Sequence, residues 1–154
     1  MHCPSCGTVF EVGVPEAKGK RRSRPQECRL HALARAAYHQ WPESAQFRPK
    51  SAENLRYWLT VEAGFFDVVR QALLPPDIEK ENQNDVYVLI AAFLRASADD
   101  NMFVDIDGRL LTARRAKSTV TMEHREYNAL STAIDELLLA EGLHPDKLLR
   151  ERAA

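Results

Sequence analysis

Apolar residues recur along this chain at two different periods, and the change of period marks out the elements. Leu30, Leu33, Ala34, Ala37 and Trp41 fall at helical spacing, a stripe able to face a core. Ser23 and Gln26, three positions apart, form a capping-box pattern with Pro25 inside the first turn, where proline is tolerated. The spacing predicts a helix from Pro25 to about Gln40, ended by Trp41-Pro42. Ser51 is placed to cap a second helix that buries Leu55, Trp58 and Leu59 and stops at Gly64. Phe65 to Leu74 fits either a helix or a buried strand, and Pro75-Pro76 with the polar residues 77–84 reads as a surface loop. Asp85 then opens a third helix with a broad apolar face of Val86, Leu89, Ile90, Phe93 and Leu94.

The period drops to two at Met102-Phe103-Val104-Asp105-Ile106, which runs into Asp107-Gly108, a strong hairpin signal. Leu110-Leu111-Thr112 returns, and Ser118-Thr119-Val120-Thr121 is a further β-prone run. A long helix follows from about Glu123, with Tyr127, Leu130, Ile134, Leu137 and Leu138 on one face and Gly142 at its end. A short helix over 145–152 closes the chain. Without βαβ alternation, this order predicts an α+β fold, helices packed on a small antiparallel sheet, with an N-terminal cysteine knuckle. The expected organisation is a knuckle and short strand over 1–14, a basic arm over 15–24 and a main domain over 25–154. Thr8 to Val12 is the short strand.

Composition sharpens this outline. At 154 residues and 45% hydrophobic, the chain suffices for one core. No apolar run approaches the roughly 18 to 20 residues that span a bilayer. Met1-His2-Cys3-Pro4 does not begin a signal-peptide apolar region, so the expected location is the cytoplasm, away from membranes. The net charge of -1 hides an asymmetry: residues 1–60 hold 10 Lys/Arg against 5 Asp/Glu, and the remainder 11 against 17. Such a split provides a basic surface for a polyanion.

Three cysteines are too few, and odd in number, for a disulfide-stapled secreted fold, which leaves metal ligation, a reactive thiol or simple filling. Cys3, Cys6, Cys28 and His31 give the spacing C-x2-C-x21-C-x2-H. Zinc takes four nitrogen or sulfur ligands at tetrahedral corners, and a two-residue gap turns both thiolates of a knuckle towards one ion. Cys28 and His31, three apart on the first helix, can converge on it from the helical side, so one structural zinc ion is the candidate cofactor. Incidental cysteines are the competing explanation.

Catalytic constellations are absent from the pattern. No G-x-S-x-G is present, and the six glycines do not form a phosphate loop. Asp99, Asp100, Asp105 and Asp107 could hold Mg²⁺ in a nuclease, but a solvated turn explains them more simply. The basic clusters carry more. Lys18, Lys20, Arg21, Arg22 and Arg24 crowd seven positions; Arg114, Arg115 and Lys117 form a second group; Arg48 and Lys50 lie between the first two helices. Lysine and arginine neutralise phosphates and release counterions. Phe47 and Phe103 could stack on bases, whereas Trp41, Trp58 and Tyr127 sit on helix faces and fit a core.

The pattern Arg22-Ser23-x-x-Gln26-x-x-x-Leu30-x-Ala32 resembles the start of the main helix in phage NinB (Orf-type) recombination proteins. Trp41-Pro42, then Ser51-Ala52-Glu53-x-Leu55-Arg56-x-Trp58-Leu59, then Lys117-Ser118-Thr119-Val120-Thr121-Met122 ahead of Arg125-Glu126-Tyr127, follow in the same order over about residues 22–141. Glu27 and His31 depart from the pattern, which has Asn and Trp there. The resemblance implies a small, dimeric, non-catalytic phage or prophage protein that binds single-stranded DNA and supports recombination, with a host replication or recombination protein as a further partner. The alternative is a zinc-stapled adaptor or inhibitor of a host protein.

Overall fold

The computed structural model describes residues 24–74, 83–96 and 98–153. The cysteine knuckle, the strand expected at Thr8 to Val12 and most of the basic arm lie outside them. Among the described residues the elements are α1 (Arg24–His39), α2 (Ala52–Glu62), β1 (Phe66–Leu73), α3 (Gln83–Ala96), β2 (Met102–Asp107), β3 (Leu110–Ala116), α4 (His124–Ala140) and α5 (Pro145–Ala153). The fold is α+β, and the described residues form five α-helices and one antiparallel sheet of order β1-β3-β2.

Two apolar clusters hold it together. In the larger, Leu30, Leu33 and Ala37 of α1 meet Leu55 and Leu59 of α2, Tyr127, Leu130, Ile134 and Leu138 of α4, and Leu148 of α5. The helical stripes read from sequence therefore converge on one another. Fully burying a leucine contributes about 1.5–3 kcal/mol, so this four-helix cluster carries most of the apolar stabilisation. A polar seam reinforces it: the Tyr127 hydroxyl donates to the Gln26 carbonyl at 2.9 Å, and Arg29 pairs with Asp135 at 3.0 Å. In the smaller cluster, Phe93 and Leu89 of α3 cover Met102 and Val104 of β2 and Leu111 and Ala113 of β3.

Helix ends follow local chemistry. Ser51 Oγ accepts from the Asn54 amide at 3.0 Å, capping α2, and the Glu123 amide donates to Glu126 at 3.3 Å at the start of α4. Gly64 takes φ 90° just past α2, a left-handed conformation that glycine adopts without strain.

Three expectations need correction. The ambiguous stretch after Gly64 is a strand, but an exposed edge strand rather than a buried one, with a bulge between Val68 and Arg70. The run Ser118 to Thr121 is not a strand: Thr119–Thr121 forms a 3₁₀ turn in which Ser118 Oγ accepts from the Val120 amide. Its would-be partner runs out there, because β1 begins at Phe66, opposite Ala116, and the Lys117 amide is taken by the Phe65 carbonyl at 3.0 Å. Leu94, assigned to the inner face of α3, is 65% exposed, because α3 touches the sheet only through the narrow stripe that Phe93 centres.

Asn54 joins parts of the chain that are far apart in sequence. It is 4% exposed, its Oδ1 accepts from the Lys50 amide at 3.0 Å, and its Nδ2 donates to the Asp100 carbonyl at 2.9 Å. Replacing Asn54 with Ala leaves both backbone groups without this partner, and a lost partner of that kind costs about 1–3 kcal/mol. Urea unfolding should show that loss with an unchanged m-value; an equally stable variant would mean that water substitutes fully for the amide.

Candidate nucleic-acid interface

The loop between α1 and α2 is held at several points. The Trp41 indole donates to the Phe47 carbonyl at 2.8 Å, the Ala45 amide to the Pro42 carbonyl at 3.1 Å, and Arg48 to the Glu43 carbonyl. Phe47 then stacks on Trp58, centroids 4.6 Å apart and planes 4° from parallel, and meets the edge of Phe103 on β2 at 5.9 Å. Trp41 closes the set edge-on to Trp58 at 5.7 Å. Aromatic pairs in these arrangements add to their area burial, so the loop is a fixed ledge.

That ledge forms one wall of a groove of about 540 Å³, lined by Phe47, Arg48, Lys50, Asn54, Trp58 and Glu62 on one side and by Phe103, Asp105 and Arg114 of the sheet on the other. Strand alternation explains the second wall. Phe103 lies opposite Arg114 in the register, so both project from the same sheet face. Arg114 is the most constrained cation here. Its guanidinium lies 5.2 Å from the centroid of the Phe66 ring, 3.6 Å from Glu62 and 3.8 Å from Asp105. Its Nε is buried with no hydrogen-bond partner among the described residues. The two ion pairs are long, which leaves the terminal guanidinium nitrogens donor capacity that an incoming oxyanion can take, whereas the buried Nε is out of a ligand's reach.

The same alternation separates the two neighbouring arginines. Arg115 projects from the opposite face, where its Nη2 lies 3.6 Å from Met102 Sδ. It lines a second pocket of about 500 Å³ with Glu27, His31, Arg56, Tyr57 and Asp67. Glu53 lies beside it: Arg56 donates to Glu53 from two nitrogens, and His31 Nδ1 is 3.7 Å from Glu53 Oε2. Arg56 also lies 4.4 Å from the Tyr57 ring centroid.

The sequence-nominated residues thus divide. Arg48, Lys50 and Arg114 meet in one groove together with Phe47 and Phe103. Arg115 is with His31 in the other pocket. Arg24, at the start of α1, and Lys117, just beyond β3, are exposed and line neither. Lys18, Lys20, Arg21, Arg22, Cys3 and Cys6 lie outside the described residues. Of the proposed zinc ligands, His31 faces Glu53, and Cys28 is disulfide-bonded, its partner lying outside the described residues. Among the described residues no cluster of three or more His, Cys, Asp or Glu could hold a metal, and the hairpin aspartates form none. No helix among them is long and apolar enough to cross a membrane.

Two contributors went unread in the sequence. Trp58 appeared as core but supplies the platform on which Phe47 stacks. Asn54 carries no pattern of its own; its neighbour Ser51 marked the cap, but nothing marked the amide's reach to Asp100. No family model matches the chain, and no curated protein or solved structure matches it.

Burial pushes the Glu53 carboxyl up, but hydrogen bonding and charge from Arg56, aided by His31 and Tyr57, outweigh it and hold the group below its ordinary value. A depressed carboxylate stabilises the fold above its unfolded pKa, and that contribution is lost as pH falls through the folded value. Glu53→Gln should therefore be less stable than the parent at neutral pH, with the gap closing as the medium is acidified below the ordinary value of 4.5. Thermal melts across that range will show it; a gap independent of pH would remove the ionised carboxylate from the account.

Proposed function

We propose that this chain binds single-stranded nucleic acid, DNA in the first place, in the groove between the α1–α2 loop and the sheet, without catalysis of its own. The carrying observation is the convergence of Arg48, Lys50 and Arg114 with Phe47, Trp58 and Phe103 on one surface. Single strands are bound by cations that follow the backbone and by aromatic faces on which bases stack, and this groove offers both. Glu62 and Asp105 offset part of its charge, so stacking shares the work with electrostatics. The basic arm, Lys18 to Arg24, would add phosphate contacts, and the likeness to NinB-type proteins gives recombination support, in a phage or prophage and alongside a host replication or recombination protein, as the setting.

Fluorescence anisotropy with a labelled oligonucleotide tests this reading. Affinity should fall steeply with salt, and Arg48→Ala/Lys50→Ala should lower the log–log salt slope by about 1.4, since each phosphate contact on a single strand contributes about 0.7. Phe103→Ala should weaken binding by about 1–3 kcal/mol with the slope unchanged. Failure to bind at low salt would remove the proposal.

We also propose that the reduced protein holds one structural zinc ion through Cys3, Cys6, Cys28 and His31. The spacing C-x2-C-x21-C-x2-H supports it, since it supplies four sulfur and nitrogen ligands of the kinds that structural zinc takes. Protein purified under reduction should carry close to one zinc by elemental analysis and melt lower after chelation. Less than about half an equivalent, with no effect of Cys6→Ser on melting, would dismiss the site.

A further inference from the structure

Carboxylates are out of place in a groove that takes up phosphates alone, and this one has two. Glu62 and Asp105 both approach Nη2 of Arg114, at 3.6 and 3.8 Å. A phosphate drawn to that nitrogen would come close to both negative groups and lose much of what the guanidinium offers. Arg48 and Lys50, on the loop side of the groove, supply cations for a backbone. The sheet side is better matched to a neutral group that accepts from Arg114 and donates to a carboxylate. The edge of a nucleobase is such a group.

Strand register sets the geometry. Phe103 and Arg114 are directly paired, and Asp105, two residues on from Phe103, projects from the same face. An aromatic ring, a guanidinium and a carboxylate therefore stand side by side on one strip of sheet. A base stacked on Phe103 would turn its edge to the other two. Asp105 is the more open acid, 57% exposed against 36% for Glu62. It is the carboxylate within a base's reach, while Glu62 and the Phe66 ring steady the guanidinium.

This pattern selects among bases. On guanine, N1–H and the 2-amino group are neighbouring donors that point the same way. Both oxygens of one carboxylate can accept from them, and the adjacent O6 accepts from a guanidinium. Adenine and cytosine set a single amino group beside a ring acceptor, and thymine has one N–H between two carbonyls. None of these gives a carboxylate two parallel donors.

We propose that the groove prefers guanine, with Asp105 accepting from N1–H and the 2-amino group, Arg114 donating to O6 and Glu62 positioning Arg114. The proposal rests on the reading of the groove as a single-strand site.

Anisotropy of the full chain with short labelled oligothymidylates tests it, each unmodified or carrying one central guanine, adenine, cytosine or hypoxanthine. The guanine probe should bind about tenfold more tightly than the all-thymine one, and hypoxanthine, which lacks the 2-amino group, should forfeit most of that gain. Asp105→Asn replaces one acceptor oxygen by a donor that meets guanine's own N–H groups, and should bring the guanine and thymine probes within about twofold of each other. It should also tighten binding of the all-thymine probe, because a negative charge leaves the groove. Asp107→Asn removes the same charge from an exposed position on the same strand that does not line the groove, and should keep the guanine preference. Equal affinity for all the probes, a stronger response to another base, or a guanine preference that survives Asp105→Asn overturns the proposal and leaves single-strand binding standing. Binding of no probe at low salt removes both.

Discussion

The buried amide of Asn54 is the contact through which the two halves of this fold are registered. Its oxygen takes the Lys50 amide and its nitrogen gives to the Asp100 carbonyl. One side chain therefore fixes the end of the α1–α2 loop relative to α2 and the start of β2 relative to both. A primary amide suits this position because it is donor and acceptor at once. A leucine of similar size would fill the volume and leave two backbone groups unanswered. The groove exists because those two segments are held at that separation. Its aromatic ledge belongs to the helical layer and its arginine to the sheet.

Electrostatics in the groove is more balanced than a count of basic residues implies. Consecutive arginines on a strand cannot act on one ligand surface, since the backbone turns them to opposite faces. Arg114 keeps company with Glu62, Asp105 and the Phe66 ring, while Arg115 joins a pocket that also contains Glu27 and Asp67. An anion approaching Arg114 meets a guanidinium already oriented by its neighbours. It gains a directed donor at the cost of competing with two carboxylates.

Much of the helical layer was legible in the sequence because its signals are local and redundant. Leu30, Leu33 and Ala37, then Leu55 and Leu59, then Leu130, Ile134 and Leu138, repeat at helical spacing and meet in one cluster. Ser51, Gly64 and Gly108 marked ends and turns through chemistry that depends on the residue itself. What failed depended on partners. Ser118 to Thr121 has the composition of a strand but, among the described residues, no strand beside it, and Leu94 has the composition of core but lies at the exposed edge of the α3 contact with the sheet. The groove was half legible: Arg48, Lys50, Arg114, Phe47 and Phe103 were each nominated from type and setting. Their convergence, and the separation of Arg115 from Arg114, came from strand register and loop fixation, which no short stretch of sequence encodes.

The bulge in β1 settles how this sheet can grow. With β3 in the middle, each of the two remaining strands has no further strand on its outer side among the described residues. The extra residue at Val69 breaks the even spacing of amides and carbonyls along one of them. The other carries the exposed acids Asp105 and Asp107, which resist the approach of another backbone with like charge. Both sides are thus guarded against templated strand addition, the step by which small open sheets pass into fibres.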